Sequence, residues 1–166
     1  MNLKFNSATE KDISIINDLA VRIWKSHYSS IISNDQIDYM LDKFYSFESL
    51  LQQMNEGHKF TLVYNGVKPI GYISLSSVDE KKYFLHKFYI DIEAHSKVIG
   101  TKLFKHILMQ IPNAETIELV VNRINYKSIN FYFKLGFIIK DVTNNSIGGG
   151  FYMNDFLMIK KTNNNF

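Results

Sequence analysis

Apolar positions along the chain change their spacing several times, and each change marks an element. Leu3 and Phe5 alternate with polar neighbours, which predicts a first strand over Leu3–Asn6. Ser7 and Thr9 then stand three residues before Glu10 and Asp12, the spacing of a helix-start capping box. Apolar pairs follow at Ile15/Ile16, Leu19/Ala20 and Ile23/Trp24. That is the stripe of a helix burying one face, and it ends near His27. A Ser33/Asn34 cap opens a second helix carrying Ile37, Met40, Leu41 and Phe44. A third, short helix carries Phe47, Leu50, Leu51 and Met54 and stops at Gly57.

The middle of the chain reads as strand. Phe60–Tyr64 and Ile70–Ser77 flank an Asn65-Gly66 turn, and Lys82–Ile90 follows. Their short polar connections make an antiparallel meander. After Asp91, Ile99, Leu103, Phe104, Ile107, Leu108 and Ile111 share one helical face, with Pro112 just past its end. Ile117–Val121 is rich in β-branched residues and is expected to be a buried strand. A helix over 126–135 has Asn125 as its cap and Gly136 as its left-handed stop. Phe137–Val142 and Phe151–Lys160 close the sheet, separated by a polar loop at Thr143–Gly150.

The order is β-ααα-βββ-α-β-α-ββ. The long helix joins two strands as a β-α-β crossover, which makes that pair parallel inside an otherwise antiparallel sheet. The expected fold is α+β. One domain spans 1–161, with a mixed, mostly antiparallel sheet, a central parallel β-α-β unit and flanking helices, and a disordered tail follows at 162–166.

Composition narrows the function. The 166 residues are 46% hydrophobic and 21% charged, enough for one ordinary domain with its own core. There is no cysteine, so a disulfide framework, a thiolate metal site and a cysteine nucleophile are all excluded. The net charge of +3 comes almost wholly from lysine, since Arg22 and Arg123 are the only arginines. A reader of nucleic acid leans on arginine forks, so no nucleic-acid partner is expected. Apolar runs fall far short of the ~20 residues that span a bilayer, and Lys4 interrupts the N-terminal segment. A cytoplasmic, membrane-free protein is the expectation. His27, His58, His86 and His106 show no metal-ligand spacing, and no metal is expected.

Two stretches carry candidate chemistry. Asp91–Lys102 is a turn from a strand into a helix, where unpaired backbone N–H groups and the helix dipole make an anion site flanked by Lys97 and Lys102. The turn alone is equally read as Ser96 capping an ordinary helix. The second stretch, Val121–Phe137, resembles a signature of the GNAT N-acetyltransferase superfamily, N-x-x-[AS]-[IR]-x-[FL]-Y-x-K-x-G-F. Asn125, Ser128, Ile129, Phe131, Tyr132, Lys134, Gly136 and Phe137 match in register. The order of elements resembles that family along the whole chain.

The resemblance implies an enzyme with acetyl-CoA as co-substrate. His95, Ser96, Lys97, Val98, Ile99, Gly100, Thr101 and Lys102 then correspond to the pyrophosphate loop, with His95 and Val98 where the family usually has Gln/Arg and Gly. The backbone of Phe88, Tyr89 and Ile90 would run along the pantetheine arm, in a gap where two strands splay. Asn125 and Phe131 would also hold the cofactor. Tyr132 would protonate the leaving thiolate as general acid. The acceptor is a primary amine, a small molecule such as a polyamine or a peptide, acetylated directly in a ternary complex. Trp24, Tyr28, Ile31 and Ile32 are expected to contact it, and His86, Glu93 or a water would take its proton. The stretches Ile23–Tyr28, Asp35–Met40 and Phe44–Ser46 resemble a bacterial branch that includes polyamine acetyltransferases. Val98 leaves a second reading open, a scaffold that binds CoA or a protein without catalysis. The apolar strand Phe151–Ile159 resembles the segment through which the family forms homodimers.

Overall fold

The Thr9–Asp12 cap forms as its spacing predicts. The Thr9 N–H and hydroxyl donate to the Asp12 carboxylate at 2.8 and 3.1 Å, in the turn that joins the first strand to the first helix. The structure, a computed structural model, describes residues 2–94 and 98–162. Strand β1 is Leu3–Ser7, and helices α1 (Ile13–His27), α2 (Asn34–Tyr45) and α3 (Phe47–Asn55) follow. The meander is β2 (Lys59–Asn65), β3 (Lys68–Ser77) and β4 (Lys82–Ile90). Then come α4 (Ile99–Gln110), β5 (Thr116–Asn122), α5 (Tyr126–Lys134), β6 (Ile138–Gly148) and β7 (Phe151–Lys161). Asn125 caps α5 by accepting the Ser128 N–H at 3.3 Å, and Gly136 ends that segment at φ +87°.

The seven strands form one sheet in the order β1-β2-β3-β4-β5-β7-β6. All neighbouring pairs are antiparallel except β4 and β5, which are parallel, as the crossover requires. The sheet separates two cores. On one face Ile99, Leu103, Phe104 and Ile107 of α4 pack on Ile73, Leu85, Ile117 and Met158. On the other, Ile16, Leu19 and Ile23 of α1 pack with Ile37, Leu50, Phe60, Leu62 and Tyr72. Each helix turns its apolar stripe to the sheet, and burying such stripes is the main drive for this arrangement.

Four expectations change. β5 is not uniformly buried: Ile117, Leu119 and Val121 face the core while Glu118 points outward and accepts from Lys140 Nζ at 2.5 Å. Phe137 is buried before β6 begins, its N–H donating to the Tyr132 carbonyl at 3.0 Å. The stretch 143–148 is not a loop. It extends β6, where Thr143, Asn144, Asn145 and Ser146 pair with Asp155, Asn154, Met153 and Tyr152. Polar residues suit an outermost strand whose neighbour lies on one side only, so hydrophobic patterning does not reveal it. Thr162 is tied rather than frayed, since its N–H donates to the Glu115 carbonyl at 2.9 Å and its hydroxyl to the Ala114 carbonyl. Residues 163–166 lie outside the described residues.

Candidate active site

The parallel ladder between β4 and β5 is short. It runs from Lys82↔Thr116 to Leu85↔Leu119 and goes no further. β4 nevertheless stays paired with β3 as far as Ile90, and β5 with β7 as far as Asn122. Each strand follows its outer partner and the two diverge, leaving a wedge between 86–90 and 120–122.

A β-bulge stands where the wedge opens. Opposite β3, Ser74 pairs with Lys87 and Leu75 with Leu85, so His86 is the surplus residue. Side chains alternate along a strand, and one surplus residue reverses which face each later residue takes. The cores show this reversal. Tyr83 and Leu85 lie with α4 and α5 before the bulge, and Phe88 and Ile90 do so after it. Tyr89 is thereby placed with α1 on the opposite face.

The wedge leads into a cavity of about 690 Å³ with two unlike walls. The first wall is built by α4, α5 and Phe88. The Phe131 ring lies 5.4 Å from Phe88, and Tyr132 lies 6.4 Å from Phe88 and 5.7 Å from Phe137. Gly100 belongs to this wall, because a Cβ there would come within 2.8 Å of the Phe131 ring. Burial first, and the nearby Tyr28 second, raise the Tyr132 hydroxyl above its usual range, so it stays protonated. Thr101, Lys127 and Lys134 line the same side.

The second wall is aromatic and comes from α1 and β4. Trp24 stacks on Tyr28 at 4.5 Å, and the Tyr28 and Tyr89 hydroxyls are 3.5 Å apart. Burial keeps both of these tyrosines neutral. Asn125 joins the walls, with its Nδ2 3.2 Å from His27 Nε2. Asp155 of β7 completes the wall opposite Asn122. It is buried, and loss of hydration pushes its carboxyl up to about 6 against the downward pull of Arg123.

The expected site residues divide three ways. Phe88, Tyr89, Ile90, Gly100, Thr101, Asn125, Phe131, Tyr132, Trp24 and Tyr28 all line the cavity. Trp24 is also core, at 4% exposed. Ile31 does not line it, and the neighbouring Ile32 does, because the turn after α1 points that side chain inward. Ile99 is wholly buried in the α4 core, and Lys102 is exposed outside the cavity. His95, Ser96 and Lys97 lie outside the described residues. Val98 is 53% exposed with an ordinary right-handed backbone, φ −93° and ψ −30°. Valine therefore needs no unusual dihedral here. Asp155 is the residue that sequence reasoning misses. Its signal is a lone acidic residue among Phe151, Met153 and Phe156 in a strand of apolar neighbours.

Of the two named proton acceptors, His86 lines the cavity and Glu93 does not. Glu93 is exposed, pairs with Lys68 at 3.4 Å and lies off the cavity. His86 bonds Ser76 Oγ at 2.7 Å and stacks on His58 at 3.9 Å. Burial, His58 and Lys87 push its pKa down to about 3, which leaves it neutral and weakly basic at pH 7. This shift has a consequence for stability. The folded state holds His86 neutral while the unfolded chain takes a proton below about 6.5. Its stabilising contribution is full above that pH and is lost as pH falls toward 3. Asp155, with a raised pKa, acts in the opposite direction over the lower part of this range. Thermal melting from pH 7.5 to 4.5 should therefore show a larger loss for wild type than for His86→Gln. Equal losses would show that the histidine stack carries no such penalty.

Among the described residues no group of His, Cys, Asp and Glu is arranged to hold a metal, and no helix is long and apolar enough to cross a membrane. The chain is 27% identical over 168 residues to the spermidine N(1)-acetyltransferase of Thermoplasma acidophilum, covering 97% of this chain and 98% of that protein. The crystal structure of the PaiA N-acetyltransferase of Thermoplasma acidophilum in complex with coenzyme A superposes with a TM-score of 0.80 at 27% identity, covering 98% of this chain and all of that one. These likenesses are to an archaeal organism, where the sequence pointed to a bacterial branch. The ribosomal-protein-S18-alanine N-acetyltransferase of Escherichia coli shares the fold, with a TM-score of 0.73 at 15% identity over 96% of this chain and 93% of that one. The model of the acetyltransferase (GNAT) family matches residues 20–137, the span that holds the diverging strands, the start of α4 and the whole of α5. The chain belongs to that family.

Proposed function

We propose that this acetyl-CoA-dependent N-acetyltransferase acetylates a primary amine of a polyamine directly, within a ternary complex. The observation that carries the reading is the end of the β4–β5 ladder at Leu85↔Leu119, in a cavity that also holds the Tyr132 hydroxyl. Beyond that point β4 has no strand partner on its inner side, so an extended pantetheine arm fits there as an added strand would. The residues fit the co-substrate in charge as well: Lys127 and Lys134 line the α5 side of the cavity, suited to an anionic ligand. Phe88, Tyr89 and Ile90 offer backbone to the arm, and Asn125 and Phe131 flank it. The first-turn amides of α4 at Gly100 and Thr101 would receive the co-substrate's phosphates.

Tyr132 would give its proton to the departing thiolate. Trp24 and Tyr28 offer faces over which an alkylammonium is attracted, with Ile32 beside them. The likeness to a spermidine acetyltransferase over nearly the full length supports a polyamine over a peptide. No cysteine is available to carry the acetyl group, which supports direct transfer.

The test is thiol release from acetyl-CoA with spermidine, spermine, a diamine and an N-terminal peptide as acceptors. Spermidine or spermine should turn over fastest, with double-reciprocal lines that intersect. Turnover of the peptide alone overturns the polyamine reading, and parallel lines overturn direct transfer.

A further inference from the structure

An amine attacks only after losing a proton, and at neutral pH a polyamine arrives as ammonium. A group lining the cavity, directly or through water, has to receive that proton: Glu93 lies off the cavity, and burial holds His86, which lines it, at a low pKa. We propose that Asp155 is that group, the catalytic proton acceptor for the amine. This rests on the polyamine reading above.

Asp155 is the one carboxylate lining the cavity among the described residues. Its position follows from the sheet register. On β7, Phe151 and Met153 pack with the core of α1–α3, whereas Phe156 and Met158 pack with the core of α4. Alternation thus puts Asp155 on the α1 face, the side that holds Tyr28 and Tyr89. Pairing with Asn122, the last residue of β5, sets it at the open end of the wedge. Tyr132 lines the same cavity from the other face, so proton acceptor and proton donor stand on opposite walls. A carboxylate there also favours a cationic acceptor over a neutral or anionic one.

The charged and titratable groups around Asp155 come from three elements. Arg123, in the turn after β5, acts on it electrostatically, while its own Nη2 donates to Asn144 Oδ1 at 2.6 Å. Tyr28 and His27 face it from α1, and Tyr132 stands across the cavity on α5. Both tyrosines are neutral, and Arg123 is the charge that pulls the Asp155 carboxyl down against burial. A carboxyl near 6 is ionised at pH 7 yet basic enough to hold a proton briefly.

The step balances as follows. The ammonium gives one proton to the Asp155 carboxylate. The free amine attacks the thioester carbonyl, a C–N bond forms and the C–S bond breaks. The thiolate takes the Tyr132 proton, the second proton shed by nitrogen restores Tyr132, and Asp155 releases its proton to water.

The test compares wild type, Asp155→Asn and Asp155→Glu with spermidine and acetyl-CoA from pH 5 to 9. Wild-type kcat/KM should fall below about pH 6. Asp155→Asn should lose that limb and roughly tenfold or more of kcat/KM at pH 7.5. Asp155→Glu should keep a limb at a shifted midpoint. Calorimetry with coenzyme A should give the same affinity for all three, showing that the folded cavity is intact. An unchanged limb in both variants overturns the assignment alone. Wild type that turns over no polyamine overturns the reading beneath it, and the assignment with it.

Discussion

Tyr132→Phe is expected to lower kcat for polyamine acetylation by about 10²- to 10⁴-fold, with coenzyme A affinity unchanged. The hydroxyl is the only atom removed. The ring keeps its contacts with Phe88, Phe131 and Phe137, so the wall of the cavity stays in place. What disappears is a proton held on a group that burial keeps from ionising. A thiolate of ordinary basicity that leaves without it must take its proton from water, at a less favourable position. The loss should be greatest at high pH, where solvent protons are scarcest. Variant turnover equal to wild type across pH would remove Tyr132 from the chemistry and leave it as packing.

Gly71→Ala is expected to destabilise the fold by about 2 kcal/mol, a melting point lower by roughly 4–8 °C. Gly71 pairs with Ile90 at the rim of the wedge. A Cβ at that position would stand 2.5 Å from the Tyr89 carbonyl oxygen and 3.1 Å from the Ile90 Cα. Both are backbone atoms, so no rotamer change relieves the clash and the end of β4 must move. The loss of chain freedom in the unfolded state would offset less than about 1 kcal/mol of that cost. Because the displaced atoms belong to the strand proposed to receive the pantetheine arm, the KM for acetyl-CoA should rise as well. A variant within about 0.5 kcal/mol of wild type would mean that β3 and β4 separate there freely.

The elements were legible because most of them turn a regular apolar face to one core. The stripes Ile15–Trp24 and Ile99–Ile111 and the Asn125 and Gly136 boundaries lie in the structure where spacing puts them. β6 was legible only in part, since its outer half is polar and is held by pairing with β7 alone. Within the cavity, Tyr132 and Asn125 were found through a local motif, whose residues are close in sequence and on one helix. Asp155 was not, because it meets Tyr28 and Asn122 only when distant strands come into register. The low pKa of His86 has a similar origin. Its stacking partner His58 and its neighbour Ser76 come from β-strand and loop positions that no spacing rule joins.

The surplus residue in β4 makes the length of that strand part of the chemistry. Remove His86 and the ladder with β3 becomes regular: Leu85 and Phe88 then stand two apart and keep the α4 face, and Tyr89 keeps the α1 face. What the surplus residue supplies is a bend where β4 leaves β5, so its deletion is expected to narrow the wedge and leave the two walls as they are.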